Sequence, residues 1–521
     1  MTIKIKNRIK ITTTQPSPKI RWASFFAVAL LALAVRLPQL GGRPMHTDES
    51  VNAYIVGQLL AGEKFHYDPQ DRHGPALFVV AEPLVKLLGA KNFSELTETQ
   101  LRLSTVLTGT ATVLLFGAGV EMFGFIACLV AALLFAFAPL PVYYSRYFIH
   151  ETLFVVATLG LILSGWRMLQ KKSLAAAAFA GLCAALMLAC KETAVIHFFA
   201  LACAACVVRL WSARPSQRFG TGRPVAQSEN GVTPLHSMSL KVVATALAVF
   251  ILTAILLFTW FGQNWAGLAD LFRAIPRFAA RASGEGHEKP FGYYFHLLDP
   301  MLVLFIVAAA GVYAAICNAV GGVRKPGLLL VIYGLVIFLI YSAIPYKTPW
   351  LALNLWLPLT LICGSGVAAF WEQIKKPAGR WGVVIAGAFF LATLATQTQT
   401  LVFDKPADEK NPYAYAHTGE DLLRLPGRLE ELARHDKISN PRIAVVAADA
   451  WPLPWYLRKF SQAGFWQPGQ EPGAADFFIT TTDVSGKLAE RLKDFRPEFF
   501  GARPNVLLIL WSPLETAPSH E

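Results

Sequence analysis

The chain has 521 residues, 54% of them hydrophobic and only 16% charged, with a net charge of +13. Soluble domains carry about 25% charged residues, and several apolar runs here reach the roughly 18–20 residues that cross a bilayer. A soluble enzyme is excluded, and the positive charge reads as the cytoplasmic Lys and Arg of a membrane protein, not as a nucleic-acid surface.

Residues 1–22 form a basic tail with Lys4, Lys6, Arg8, Lys10, Lys19 and Arg21. No small-residue cleavage pattern follows, so no removable leader is expected. Eleven spans are predicted: Ala23–Leu40, Leu101–Met122, Phe125–Tyr143, Phe148–Trp166, Leu174–Ala189, Ala194–Trp211, Leu240–Phe261, Met301–Val320, Leu328–Ile344, Leu351–Trp371 and Trp381–Gln397. Residues 23–400 thus form a membrane domain whose first connection, 41–100, is long. Within that connection, Ser50–Gly62 and Pro75–Leu88 are further candidate elements, and the second suits a helix on the membrane surface.

Lys and Arg decide the orientation. The tail and the connections holding Arg167, Lys171 and Lys172, then Arg209 to Arg223, then Arg324 and Lys325, then Lys375, Lys376 and Arg380, are the basic set. The opposite short connections hold only Arg146, Lys191 and Lys347. The amino terminus is therefore expected in the cytoplasm and the carboxy-terminal region outside, at the plasma (inner) membrane. The Gly-, Pro- and Arg-rich connection Ser212–Ser239 reads as a flexible linker. The seven cysteines lie in or beside apolar runs, and Cys203-x-x-Cys206 lacks His or acidic neighbours, so no disulfide framework or zinc site is expected.

With that orientation the ionisable residues at span ends gather on the outer face. Asp48 and Glu49 follow the first span, and Arg146, His150 and Glu151 bridge the third and fourth. Lys191-Glu192 turns the fifth into the sixth, and Tyr346-Lys347 leaves the ninth between Pro345 and Pro349. Each alone has a simpler reading as a hydrated loop, a belt aromatic or a helix-terminus charge. Together they describe a polar cavity beside apolar helices. If the fourth span is helical from Phe148, Tyr147 and Glu151 share one face. The connection Asn264–Pro300 adds Gly284-Glu285-Gly286-His287-Glu288-Lys289, which reads as a glycine-hinged flap; His287 and Glu288 could also ligate a metal. Acids to deprotonate a hydroxyl and cations to stabilise a leaving phosphate suit transfer of a group from a lipid phosphate.

Residues 401–521 lose the apolar character. Arg442–Ala447, Asp476–Thr481 and Val506–Trp511 read as buried strands, and Asp421–His435 as an amphipathic helix interrupted by Pro426. A small α/β extracytoplasmic domain is expected there. Asp449-Ala450-Trp451-Pro452, after the first strand, could stack a sugar on Trp451, although a packing role is the simpler one.

Asp48-Glu49 in a long first outer loop with a surface helix, Ser145-Arg146-Tyr147-Phe148-Ile149-His150-Glu151 at the fourth span, and Tyr346-Lys347-Thr348-Pro349-Trp350 resemble the GT-C superfamily of membrane glycosyltransferases. The nearest branch is the family-39-like group of protein mannosyltransferases, lipid A aminoarabinose transferases and Rgt-type transferases. Within it the motifs look most like a prokaryotic subgroup associated with flippase activity in protein N-glycosylation. The resemblance covers about residues 20–400.

That resemblance implies an inverting glycosyltransferase that moves a sugar from a polyprenyl-phosphate donor to a lipid, glycan or protein acceptor. A transporter or flippase component for lipid-linked sugars is the alternative, but it predicts mid-membrane charges and internal repeats, which the sequence does not display. Asp48 would be the general base, Glu49 its neighbour, and Glu151 a second acid that binds a metal or orients the acceptor. Arg146, Lys191 and Lys347 would meet the donor phosphate. His46, His73, Tyr147, His150, His287 and Tyr346 are the candidate substrate contacts. No cofactor is demanded, and a divalent metal, Mg or Mn, is compatible. The sequence departs from relatives in having Glu151 where Asp is common and Lys191-Glu192 where Lys-Gly is often found.

Overall fold

A computed structural model describes residues 16–70, 72–213, 239–298, 302–320 and 326–514. Lys4 to Lys10 of the tail, residues 214–238 of the expected linker, and Arg324-Lys325 lie outside the described residues. Among the described residues, eight helices are long and apolar enough to cross a membrane: Pro18–Arg36, Glu98–Phe123, Glu151–Lys171, Ala194–Trp211, Leu240–Phe258, Pro326–Ala343, Pro349–Gln373 and Pro377–Asp404. A bent pair, Phe125–Phe137 with Pro139–Ser145, and two shorter apolar helices, Leu174–Cys190 and Val303–Asn318, supply the remaining segments. Every one of the eleven expected runs is accounted for, with boundaries moved by a few residues. All seven cysteines are free thiols.

The third span departs most from expectation. Ahead of Pro139 and Pro141 the helix turns by 61° and resumes as Pro139–Ser145. Proline has no N–H to give the carbonyl four residues back, so Phe135 and Phe137 lose their helical partners. Both carbonyls are served from elsewhere. Arg36, wholly buried in the first span, donates to Phe135 O at 2.6 Å, to Ala136 O at 3.1 Å and to the Ser145 hydroxyl at 2.7 Å. Thr398 in the last span donates to Phe137 O at 2.6 Å. A polar backbone break inside a bilayer is tolerated only with such substitutes.

The first long connection folds into two helices, Thr47–Leu60 and Ala76–Leu87. The second buries Leu77, Phe78, Ala81 and Val85 and leaves Leu87 exposed, as a membrane-surface helix would. The connection after the seventh span is not only a flap. Its first half is the helix Ala266–Arg281, which exposes Phe272 and Ile275, with Trp265 exposed just before it. The glycine-hinged run follows, and Glu288 then pairs with Tyr346 in a short antiparallel bridge. That bridge is flanked by Lys289 N to Pro345 O at 3.1 Å and Lys347 N to His287 O at 3.0 Å.

After the last span comes a five-stranded sheet, order β2-β1-β3-β5-β4, with β1 Ile443–Val446, β2 Ala463–Trp466, β3 Phe477–Thr481, β4 Phe495–Arg503 and β5 Val506–Pro513. β1 pairs in parallel with β2 and β3, and β5 runs antiparallel to β3 and β4. The expected helix is Leu425–His435; Pro426 sits in its first turn, where a missing N–H costs nothing, so it starts the helix instead of interrupting it. Two strands escaped the pattern reading. β2 is four residues long, and β4 carries Pro497 and is half-exposed along most of its length. The sheet docks on the first connection through Met45, whose N–H donates to the Tyr456 hydroxyl at 2.9 Å and whose carbonyl accepts from Thr418 at 2.7 Å.

Arg36→Leu should strand the carbonyls at the bend and destabilise the protein by about 1–3 kcal/mol for each, read as SDS-titration unfolding in mixed micelles. Arg36→Lys should recover part of the loss.

Candidate active site

Asp48 and Glu49 sit side by side in the first turn of Thr47–Leu60, and a helix turns neighbouring residues about 100° apart. The pair therefore divides. Glu49 points into the protein and is fully buried. It accepts from Arg102 Nε and Nη2, each at 2.8 Å, from Arg43 Nη2 at 3.4 Å, from Phe148 N at 2.9 Å and from His46 N at 3.2 Å. Burial alone would raise its pKa, but the two guanidiniums hold it well below the usual carboxylate range. Asp48 points outward, with its side chain 47% exposed.

His46 caps this helix. Its Nδ1 accepts from Asp48 N at 3.0 Å, which leaves Nε2 as the protonated nitrogen facing Tyr415 O at 3.1 Å. Burial pushes its pKa down, so the ring is neutral. It lies 4.0 Å from the Asp48 carboxylate without cancelling its charge. Among the described residues no Lys or Arg pairs with Asp48.

A second wall comes from the turns at 150 and 191. Glu151 begins its helix and pairs with Lys191, which caps the helix Leu174–Cys190. Burial opposes the charge on Lys191, but Glu151 raises its pKa, so the ammonium stays. Glu192 does not pair with its neighbour Lys191. It accepts from the Tyr67 hydroxyl at 2.7 Å and meets His73 Nδ1 at 3.1 Å. Burial opposes this too, yet His73 and Tyr67 bring the Glu192 carboxyl down to about 2. His150 packs edge-on against His73 and donates to Gly74 O at 3.0 Å.

The flap and the sheet domain close the site. His287 stacks near Tyr346, ring centroids 4.8 Å apart, and meets the Tyr415 hydroxyl at 2.8 Å. The cavity between them measures about 560 Å³ and is open on one side. Asp48, Glu151, Lys191 and Tyr346 line it, with His46, His73, His150 and His287 around them. Apolar surface comes from Ile149, Ile196, Phe278, Ile344 and Leu351.

Four of the expected site residues lie elsewhere. Glu49 is taken up by its arginines. Arg146 donates to the carbonyls of Arg36, Pro38 and Gln39, at the end of the first span, and its guanidinium covers Phe403. Lys347 donates to Ile344 O and Lys289 O, closing the end of the ninth span and the flap. Tyr147 is buried under Arg43 at 4.5 Å and beside His46. In exchange the cavity gains cations not foreseen: Arg72 in the first connection, and Arg277 and Arg281 on the inner side of Ala266–Arg281. Arg277 pairs with Glu285, and Arg281 donates to Gln70 O at 2.5 Å. Arginine spacing of four on a helix would have put both on one face; reading the segment as a flap hid it. Arg102 was visible as a charge inside an apolar window, which demands an acid partner.

Among the described residues no three His, Cys, Asp or Glu side chains converge as a metal site. Glu151 is held by Lys191 and Glu49 by Arg102, so a cation here would find Asp48 alone among the three acids without such a partner.

A family model for dolichyl-phosphate-mannose-protein mannosyltransferases matches residues 75–218. A comparison with curated proteins finds no match. Among solved structures, ArnT from Cupriavidus metallidurans bound to undecaprenyl phosphate is similar with a TM-score of 0.58 and 15% identity, over 93% of this chain and 97% of that one. Archaeal oligosaccharyltransferase AglB from Archaeoglobus fulgidus, in complex with an inhibitory peptide and a dolichol-phosphate, is similar with a TM-score of 0.51 and 12% identity, over 96% of this chain and 75% of that one. The chain shares the GT-C fold with these two structures, with its small sheet domain after the spans.

Arg102→Leu should leave the Glu49 carboxylate buried beside only the more distant Arg43 and cost about 3–5 kcal/mol. The double variant Arg102→Leu/Glu49→Leu should lose less than the two single variants summed. A simple sum in SDS-titration unfolding would show that the two side chains do not act as a pair.

Proposed function

We propose that the GT-C fold here carries an inverting glycosyltransferase that moves a sugar from a polyprenyl-phosphate donor to an acceptor hydroxyl, at the outer face of the plasma membrane. The observation that carries the reading is the outward carboxylate of Asp48, half-exposed and without a Lys or Arg partner among the described residues, in a cavity shared with Lys191 and arginines. The ArnT and AglB structures hold a polyprenyl or dolichol phosphate, which supports a lipid-phosphate donor.

In this mechanism the acceptor oxygen attacks the anomeric carbon while Asp48 takes the hydroxyl proton. The bond from that carbon to the phosphate oxygen breaks on the opposite face, and polyprenyl phosphate leaves as the anion. One displacement inverts the anomeric centre. Phosphate is a weak base, so its departure needs stabilised charge and no general acid. Lys191, which has three N–H donors and gives one to Glu151, supplies that charge together with Arg72, Arg277 and Arg281. The ion pairs with Glu151 and Glu285 hold Lys191 and Arg277 in position before the donor arrives. Neutral His46 places no positive charge beside Asp48. Glu49 is an anchor for the helix and not a reacting group. The distribution of Lys and Arg supports a cytoplasmic amino terminus and an exported sheet domain.

Asp48→Asn, purified and supplied with a polyprenyl-phosphate-linked sugar, should transfer at least about 100-fold more slowly with donor affinity changed little. Equal turnover by variant and wild type would remove Asp48 as the base. A reporter inserted at Arg218 should be active only in the cytoplasm; an external signal would reverse the assigned orientation.

A further inference from the structure

We infer that the sheet domain supplies an acceptor subsite for a sugar ring at the mouth of the cavity, with Trp451 as its platform and the Asp449–Arg503 pair as its polar edge. The inference rests on the transferase reading and adds the acceptor's class: the saccharide part of a glycan or glycolipid, not a protein side chain.

Three observations converge on it. Asp449, Trp451 and Arg503 all line the cavity, although they come from separate parts of the exported domain. Asp449 and Trp451 lie in the loop that leaves the carboxyl end of β1, the strand flanked in parallel by β2 and β3; open α/β sheets receive ligands at that end. Arg503 ends β4. Secondly, the three are braced into one unit. Asp449 accepts from Trp451 N at 3.1 Å through one oxygen and from Arg503 Nη2 at 2.7 Å through the other. The indole meets Tyr54 edge-to-face, centroids 6.0 Å apart. Thirdly, the unit reaches the base: Arg503 Nη1 lies 3.5 Å from the hydroxyl of Thr47, the residue before Asp48.

The chemistry selects the occupant. A pyranose offers an apolar C–H face to an indole and, at its rim, hydroxyls that both donate and accept. A carboxylate beside a guanidinium answers both. A lipid chain would use the ring and bury the ion pair unpaid. A second phosphate would meet Arg503 and be repelled by Asp449. A ring stacked on Trp451 places a hydroxyl toward Asp48 through the side that Arg503 and Thr47 close.

Cells expressing the full chain, fed radiolabelled glucose, galactose and mannose, give the test. Label whose incorporation depends on Asp48 is fractionated after protease digestion. It should appear in protease-resistant glycan or glycolipid. Trp451→Ala should cut it at least tenfold, Trp451→Phe should keep most of it, and both should bind undecaprenyl phosphate and melt like the wild type. If Trp451→Ala does not accumulate, Arg503→Gln carries the same expectation. Asp48-dependent label in glycopeptides, or wild-type incorporation by Trp451→Ala, would overturn the subsite and leave the transferase reading standing. No Asp48-dependent label in any fraction would end the transferase reading, and the subsite with it.

Discussion

A carboxylate taken out of water costs several kcal/mol unless cations and N–H groups receive it. Glu49 is received by four groups from three places: His46 and Arg43 in the first connection, Arg102 in the second span, and the Phe148 amide in the turn before the fourth. Arg102 and Phe148 lie 53 and 99 residues from Glu49 in sequence, so the buried charge fixes their relative position. Arg102 extends the same lock to the carbonyls of Leu40, Arg43 and Pro44. The first turn of Thr47–Leu60 is thereby oriented, and once it is oriented, Asp48 can only face the cavity.

The bend in the third span solves a related problem. Turning the chain by 61° lets Pro139–Ser145 lie where Tyr143 and Tyr144 reach the segment after the last span, donating to Pro406 O and Tyr413 O. That geometry exposes carbonyls to a medium without water. Arg36 and Thr398 from other spans replace the missing helical donors. The polar groups inside the spans are thus explained by the prolines beside them, and the cavity is explained by where the bend sends the following turn.

Spans and their order were legible because apolar length alone decides them. The strands of the C-terminal sheet were legible where both faces are buried, as in Ile443–Val446, and not where an edge is half-exposed and broken by proline, as in β4. Asp48 was legible as an ionisable residue at a span end, and it lines the cavity; its divergence from Glu49 needed the helical phase of a segment too short and mixed to show one. Arg36 and Arg102 were overlooked because a charge count made over connections skips charges within apolar windows. Arg277 and Arg281 were overlooked because glycines later in the same connection dominated its reading. The contribution of Asp449, Trp451 and Arg503 depends on how the sheet docks, which no local pattern encodes.

Arg146 and Lys347 show why a cation at the right rim need not face the cavity. Helix ends at this rim come in two kinds. Where a helix begins, its free N–H groups favour an acid, and Asp48 and Glu151 stand at such beginnings. Where a helix ends, its free carbonyls attract a cation. Arg146 satisfies the end of the first span, and Lys347 the end of the ninth. Lys191 also stands at a helix end, but its ammonium meets the side chain of Glu151 instead of backbone carbonyls, and it remains on the cavity wall. The separation of Arg146 and Lys347 from Lys191 therefore follows from the partner and not from depth in the membrane. A cation bound to backbone carbonyls is held by groups that cannot move with a ligand, whereas one held by a carboxylate side chain can turn toward an arriving anion and return when it leaves. Lys191 is of that second kind, and Arg277 combines the two, pairing with Glu285 and donating to Gln70 O at 3.3 Å.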